Sequence, residues 1–133
     1  MRPIALQMLP AVLLAALLAA CSAKPLVYRH VPDRDTVVEV EASRGSTYVA
    51  ELPFSAGTGF GWTASSYDDT IVKLASQKTR DAAPAGVVGG ALVEEFTFEL
   101  KRRGETVILF ELKRPWEKDV SAAEVRSVRL RVQ

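Results

Sequence analysis

Histidine and cysteine are almost absent from this chain, and their scarcity removes the commonest catalytic groups. The 133 residues include one of each, His30 and Cys21, both near the start. Nucleophilic sites of the Ser-His-Asp or Cys-His kind need a general base inside the folded domain. Zinc sites need several nitrogen or sulfur ligands. We therefore predict no catalytic residues, no metal and no cofactor.

Adjacent carboxylates occur only at Asp68-Asp69 and Glu94-Glu95. Neighbouring residues of a strand point to opposite faces, so Glu94 and Glu95 do not converge as a glycosidase pair must. We interpret both pairs as solvated turns or faces. The segment GTGFG at 57–61 is followed by neither a helix nor a lysine, which argues against a phosphate loop.

Charge of one sign is not in excess either. Arg2 is one of 17 Lys and Arg residues, and all 16 Asp and Glu residues follow residue 20, which leaves 16 of each sign beyond that point. A balanced domain offers no basic stripe for nucleic acid. Cys21 has no disulfide partner in the chain, so packing alone must stabilise one domain, which we expect to be a monomer.

Long hydrophobic runs are confined to the first twenty residues. The apolar stretch 11–20 is about half of the ~20 residues that cross a bilayer, as in a signal peptide. Leu18-Ala19-Ala20-Cys21 resembles the lipobox of bacterial lipoproteins, in which Cys21 becomes the lipidated first residue. The alternative is an ordinary signal peptide that leaves Cys21 as a free thiol. Because Ser22 is not the aspartate of inner-membrane retention, the lipoprotein interpretation predicts an outer-membrane anchor, facing the periplasm or the surface.

Alternation of apolar and polar residues begins at Asp35. The preceding residues contain Pro25 and Pro32 and show no apolar period, so we interpret 21–34 as a lipidated N-terminus and tether, and 35–133 as the folded domain. Period-two segments predict strands at 36–42, 46–52, 60–65, 71–76, 91–100, 106–113 and 125–132, with a hairpin turn at 101–105. Seven or eight strands without a convincing helix predict an immunoglobulin-like antiparallel β-sandwich.

Three loops stand out from this pattern. Six of the eight glycines fall in the loops 55–62 and 86–90, where glycine indicates a positive φ or the close approach of a partner. The third loop, 113–119, places Trp116 beside Arg114, a combination typical of binding hot spots. The alternative is that Trp116 packs on the edge of the sandwich. In the expected strand order these loops join strands B–C, D–E and F–G at one end.

The three loops together resemble those of the chagasin-type inhibitors of papain-like cysteine proteases. That family carries Asn-Pro-Thr-Thr-Gly-(Tyr/Phe)-x-Trp in the first loop, Gly-x-Gly-Gly in the second and Arg-Pro-Trp in the third. The resemblance covers about residues 35–132. It departs from the family at Ser55-Ala56-Gly57, which replaces Asn-Pro-Thr, and in the second loop, where either Val87 stands in place of the first motif glycine or one extra residue is present. The matching residues are Thr58, Gly59, Phe60, Trp62, Gly89, Gly90, Arg114, Pro115 and Trp116.

The resemblance implies a reversible, competitive protein inhibitor of papain-like cysteine proteases, of the papain or cathepsin L type. Thr58 and Gly59 would lie over the catalytic cysteine of the target, with Phe60 shaping the loop. Gly89 and Gly90 would follow the non-primed side of the cleft.

Three aromatic or basic residues have separate expectations. Trp116 would pack on an aromatic wall of the primed side, whereas Trp62 is assigned to the core because it begins a strand. For Arg114 two roles stay open, bracing the third loop or meeting an acidic group on the protease. A second interpretation of the whole chain is an envelope lipoprotein module of immunoglobulin-like fold whose partner is not a protease. An enzyme is the third.

Overall fold

All regular elements of the described chain are β-strands. The computed structural model describes residues 24–55, 57–82 and 90–133. Two four-stranded sheets have the strand orders β1-β3-β6-β5 and β2-β8-β7-β4. The predicted all-β sandwich is confirmed, with eight strands. Their bounds are β1 (Val27–His30), β2 (Val38–Ala42), β3 (Thr47–Ser55), β4 (Gly61–Ser66), β5 (Val72–Asp81), β6 (Ala91–Leu100), β7 (Gly104–Lys113) and β8 (Glu124–Val132).

The core lies between the two sheets and follows the period-two pattern. Alternate residues of a strand face the same side, and in β6 these are Phe96, Phe98 and Leu100, all buried. The aromatic rings join the sheets, since Phe96 of β6 lies 5.2 Å from Phe110 of β7 between ring centres. The remaining large core side chains include Tyr48, Leu52, Trp62, Ile108 and Leu130.

Each sheet carries one parallel strand at its edge, a feature that the antiparallel expectation did not contain. β1 pairs with β3 in parallel, and β2 pairs with β8 in parallel. The chain reverses between β1 and β2, where the Asp33 carboxylate accepts hydrogen bonds from the backbone N–H groups of Arg34 and Asp35 and from the Thr36 hydroxyl. Such a capped turn lets one continuous segment contribute an edge strand to both sheets.

The predicted tether is wrong over its second half. Residues 27–30 form β1, and the segment is fixed from Leu26 onward by a 2.9 Å hydrogen bond from the Thr47 N–H to the Leu26 carbonyl. Arg29 adds ion pairs of 2.5 Å to Glu51 and 3.0 Å to Glu95. A short edge strand is held mainly by main-chain hydrogen bonds and does not require a strong apolar pattern. The composition of the segment therefore did not reveal β1.

The predicted hairpin at 101–105 is also wrong. β6 and β7 belong to different sheets, so residues 101–103 cross from one sheet to the other. The N–H groups of Lys101 and Arg102 both donate to the Ile71 carbonyl, at 2.8 and 3.2 Å. Gly104 opens β7 with φ 147°, and a Cβ there would lie 2.9 Å from Ile71 Cδ1. The φ therefore favours glycine at this position, and a side chain there would also displace the end of the Ile71 side chain.

The strand register brings the three predicted loops to one end of the sandwich. Ser55 at the end of β3 pairs with Ala91 at the start of β6. Asp81 at the end of β5 pairs with Leu92. Gly61 at the start of β4 pairs with Lys113 at the end of β7. We call this the loop end, and name loop 1 (between β3 and β4), loop 2 (between β5 and β6) and loop 3 (between β7 and β8).

Candidate functional site

Loop 1 is folded back on itself by a threonine. The Thr58 hydroxyl donates to the Ser55 carbonyl at 3.0 Å and accepts from the Phe60 N–H at 3.4 Å. Gly57 and Gly59 have φ values of 79° and 78°. Glycine adopts this left-handed conformation without strain, so these two positions account for the glycine content of the loop.

Loop 3 begins with a tight turn that presents Trp116. The Glu117 N–H donates to the Arg114 carbonyl at 3.1 Å, which closes the turn around Pro115 and Trp116. The Arg114 and Glu117 side chains form an ion pair of 3.2 Å across the same turn. Pro115 fixes its own φ and so stiffens the approach to the tryptophan.

Arg114 joins loop 3 to loop 1. Its Nε donates to the Thr58 carbonyl at 3.0 Å. Its guanidinium carbon lies 4.3 Å from the centre of the Phe60 ring, in cation–π range. Of the two roles left open for Arg114, the structure shows the bracing one, because Thr58, Phe60 and Glu117 all engage its guanidinium.

Trp116 lies against the backbone of loop 1. A Cβ built on Gly59 would stand 2.3 Å from Cη2 of the Trp116 ring, so the indole occupies the space that any side chain at 59 would need. Trp116 is nevertheless 66% exposed, so much of the indole is open to solvent. The tryptophan therefore neither packs on the sandwich core nor projects freely, but lies against a glycine and stays largely exposed.

Trp62, unlike Trp116, is a buried core residue. It is 1% exposed and belongs to the core. Its Nε1 donates to the Pro53 carbonyl at 3.1 Å, which satisfies the single polar group of the indole. The Arg126 guanidinium carbon lies 5.3 Å from its ring centre.

Arg126 is a site-supporting residue that sequence reasoning missed. It is buried, donates from Nη1 to the Pro32 carbonyl at 2.8 Å and pairs with Glu124 at 2.6 Å. It thus links Trp62 to the turn between β1 and β2, directly beneath the loop end. The signal was present in the sequence, because Arg126 shares the inward phase of β8 with Val128.

Loop 2 is described only at its margins. The Ala82 N–H donates to the Ala91 carbonyl at 3.0 Å and closes its base. Gly90 is half-buried directly before β6. The predicted contact residue Gly89 and the departure at Val87 lie outside the described residues.

The Glu94-Glu95 pair forms structural contacts, and one of its members is not solvated as predicted. Glu94 is buried rather than solvated, and accepts hydrogen bonds from Gln77 at 2.8 Å and Thr79 at 2.7 Å. Glu95 lies on the outer face, where hydrogen bonds from Arg29 and Arg80 lower its pKa below the usual range. Within residues 24–55, 57–82 and 90–133 no cluster of His, Cys, Asp and Glu is suited to a metal ion.

The chain belongs to the chagasin family of peptidase inhibitors. The family model described as "Chagasin family peptidase inhibitor I42" matches residues 41–132. This range includes all three loops and every strand except β1 and the first half of β2. No curated protein matches the sequence.

Solved structures with the same fold include three that share 16–20% sequence identity with this chain. The cysteine protease inhibitor EhICP2 from Entamoeba histolytica has a TM-score of 0.70 at 20% identity, covering 82% of this chain and 99% of its own. Amebosin, solved in solution, has a TM-score of 0.59 at 19% identity, with 82% and 99% covered. PbICP-C, solved in complex with falcipain-2, has a TM-score of 0.56 at 16% identity, with 84% and 100% covered.

Proposed function

We propose that this protein is a reversible, competitive inhibitor of papain-like cysteine proteases that blocks the active-site cleft with loops 1, 2 and 3. The observation that carries the proposal is the contact unit made by Gly59, Trp116 and Arg114 at the loop end. It offers a narrow backbone edge beside an exposed indole face, held in place before any partner arrives. Membership of a family of peptidase inhibitors supports the same class and argues against an enzyme.

The backbone of loop 1 suits a narrow cleft. A papain-like active site is a groove with its nucleophilic cysteine at the bottom, so an inhibitor must enter with little width. Thr58 and Gly59 are exposed and uncharged, and Gly59 adds no side chain to the width of the loop. In the proposed complex these two residues lie over the catalytic cysteine.

The Thr58 carbonyl is not presented as a substrate carbonyl would be. It already accepts a hydrogen bond from Arg114 Nε at 3.0 Å. A scissile carbonyl must instead point into the oxyanion hole of the protease, where donors of the enzyme stabilise the developing charge. Arg114 therefore favours a pose in which loop 1 fills the cleft without being cleaved.

Trp116 provides the apolar anchor. Its exposed indole lies beside loop 1, so both can contact the target at the same time, loop 1 in the groove and Trp116 on its wall. Aromatic anchors of this kind dominate binding energies at protein interfaces. We place Trp116 on the primed side of the cleft, and Gly89-Gly90 of loop 2 on the non-primed side.

The location is a proposal that rests on the first residues of the sequence. Leu18-Ala19-Ala20-Cys21 has the form of a lipobox, so we propose that Cys21 carries lipid and anchors the inhibitor to the outer membrane. Two or more acyl chains are needed for stable anchoring, because one chain alone binds only marginally.

Titration of papain and cathepsin L with the purified protein tests the inhibitor proposal. Residual activity on a fluorogenic peptide should fall linearly to an equivalence point at one inhibitor per enzyme. Activity should return on dilution, and added substrate should raise the apparent inhibition constant. An absence of inhibition by micromolar protein would favour the interaction-module interpretation, in which the same loops bind a partner other than a protease.

A further inference from the structure

The end of the sandwich opposite the loops is built from four chain segments that are tied together by backbone hydrogen bonds. We call it the basal end. The Gly45 N–H donates to the Leu100 carbonyl at 2.8 Å, and the Leu100 N–H donates to the Ser46 carbonyl at 3.1 Å. The Lys101 N–H donates to the Ile71 carbonyl, and the Thr47 N–H donates to the Leu26 carbonyl. Four segments therefore come together at this end: residues 24–26 before β1, and the connecting segments 43–46, 67–71 and 101–103.

Positive charge is concentrated on these segments. Lys24, Arg44, Lys101, Arg102 and Arg103 are all exposed. None of the five forms an ion pair within the part of the chain that the structure describes, although many other arginines do. The same segments carry two acidic side chains, those of Asp68 and Asp69.

Asp68 offsets part of this charge. Its carboxylate accepts hydrogen bonds from the N–H and hydroxyl of Thr70, at 2.9 and 2.6 Å, and these bonds lower its pKa. The nearby Arg102 contributes to the same lowering of the pKa, but the side chains of Asp68 and Arg102 form no ion pair among the described residues. The residues after position 20 are balanced at 16 of each sign. The basic excess at the basal end is therefore a separation of charge along the domain rather than a property of its composition.

Apolar side chains accompany the cations. Leu26 is 61% exposed and Val27 is also exposed, next to the point where the chain enters the fold. A shallow groove of about 270 Å³ joins Lys24 and Leu26 to the turn that carries Arg44. Basic residues beside exposed aliphatic ones are the combination found on surfaces that rest on a membrane interface.

We propose that the basal end is a membrane-facing surface that binds anionic phospholipid headgroups and holds the loop end away from the bilayer. This inference rests on the proposed lipidation of Cys21. From Cys21 to Lys24 the chain can span only about 10 Å, so the basal end must lie at the membrane surface. The ten-residue strand β6 then places the loop end about 30 Å further out.

Each cation near an anionic surface favours this orientation by about 5-fold. Replacing three of them should therefore shift the balance by about 100-fold. A single lipid anchor point leaves the domain free to tilt, whereas several charges on one face define which side meets the lipid. The orientation matters for the proposed function because a protease reaches the loops only from the aqueous side.

Energy transfer to a lipid-attached acceptor tests the orientation. The full chain, purified with its lipid, is reconstituted into vesicles of phosphatidylcholine alone or with phosphatidylglycerol. Lipid blocks the one native thiol, so a label attaches only at an introduced cysteine, in Ser43→Cys at the basal end or Ser121→Cys at the loop end. Transfer should be strong from position 43 and weak from position 121, and the difference should be larger with phosphatidylglycerol.

The triple change Lys101→Gln, Arg102→Gln, Arg103→Gln should remove the phosphatidylglycerol-dependent part of this difference. The change Lys78→Gln is the control, because this lysine is exposed on β5, away from both the basal end and the three loops, and it should leave the difference in transfer unchanged. Equal transfer from both positions, or an unchanged difference in the triple variant, would overturn the proposal.

The lipid requirement is checked separately by the mass of the purified chain. A chain without acyl groups that stays in solution would also overturn the membrane-facing proposal. Inhibition of papain by that same chain would nevertheless leave the inhibitor proposal standing. The two proposals can therefore fail independently.

Discussion

Replacement of Gly59 by alanine tests the contact between loops 1 and 3 with a single added methyl group. A side chain at φ 78° costs about 1–2 kcal/mol. The methyl carbon would also stand 2.3 Å from Trp116 Cη2, whereas carbon atoms pack at about 3.5–4 Å. The indole must therefore move by about 1 Å or more, or loop 1 must leave its conformation.

The expected loss is the sum of these two effects. Displacement of a hot-spot tryptophan costs about 2 kcal/mol or more of binding, so the total is about 3–4 kcal/mol. At 1.4 kcal/mol per factor of ten, inhibition of papain should weaken by about 100- to 1000-fold. The melting temperature should change little, because the exposed loop 1 relaxes in the free protein to relieve the strain, and the cost of restoring its shape then falls on binding.

Gly57 provides the matched control. It has nearly the same φ, 79°, but a Cβ there meets nothing within 4 Å. Gly57→Ala thus carries the backbone strain without the contact with Trp116, and should weaken inhibition by only about 10-fold. In a Trp116→Ala background, Gly59→Ala should likewise retain only this smaller effect. Equal losses for Gly57→Ala and Gly59→Ala in the native background would refute the role of the Gly59–Trp116 contact.

Four further changes test the other assignments. Trp116→Ala should weaken inhibition by about 2–4 kcal/mol with little change in melting temperature, whereas Trp62→Ala should destabilise the fold by about 3–5 kcal/mol; inhibition constants and thermal melts of both variants test the contrast. Arg114→Lys should lose the guanidinium group that joins Thr58, Phe60 and Glu117 and weaken papain inhibition by about 10-fold. An unchanged inhibition constant would contradict the bracing role. Cys21→Ser should abolish labelling by palmitate, and persistent labelling would contradict lipidation at this site. A chain that starts at Asp35 lacks β1 and should have a melting temperature well below that of the full domain. Equal melting temperatures would show that β1 does not stabilise the fold.

The fold was predictable where burial imposes a period on the sequence. Residues 95–100 of β6 and 127–132 of β8 alternate between apolar and polar because one face of each strand packs in the core, and the predicted bounds of both strands agree with the structure to within one residue. β1 was not predictable in this way, because its pairing with β3 rests on main-chain hydrogen bonds and on the ion pairs of Arg29. The crossing at 101–103 resembled a hairpin because its residues are typical of turns. Turn residues show where a strand ends, but they do not show whether the next strand joins the same sheet or the other one.

The candidate site was predictable as a set of residues but not as an arrangement. Motif resemblance selected Gly59, Arg114 and Trp116 separately, as members of two loops more than fifty residues apart. Their mutual contacts depend on the pairing of Gly61 with Lys113, which sets loop 1 beside loop 3. Only the structure shows that Gly59 leaves space for the Trp116 ring and that Arg114 forms its contacts within the protein, with loop 1.

The same contacts explain how loop 1 can be ordered without the proline and asparagine of the family motif. Ser55-Ala56-Gly57 offers no ring to restrict the backbone and no amide to cap a turn. The restraint comes instead from the Thr58 hydroxyl within the loop, and from Arg114 and Trp116 outside it. Part of the ordering cost of loop 1 is therefore met by loop 3 before binding, which favours affinity through preorganisation. In the proposed complex, changes in loop 3 should consequently weaken the contacts between loop 1 and the protease, even where loop 3 itself touches nothing.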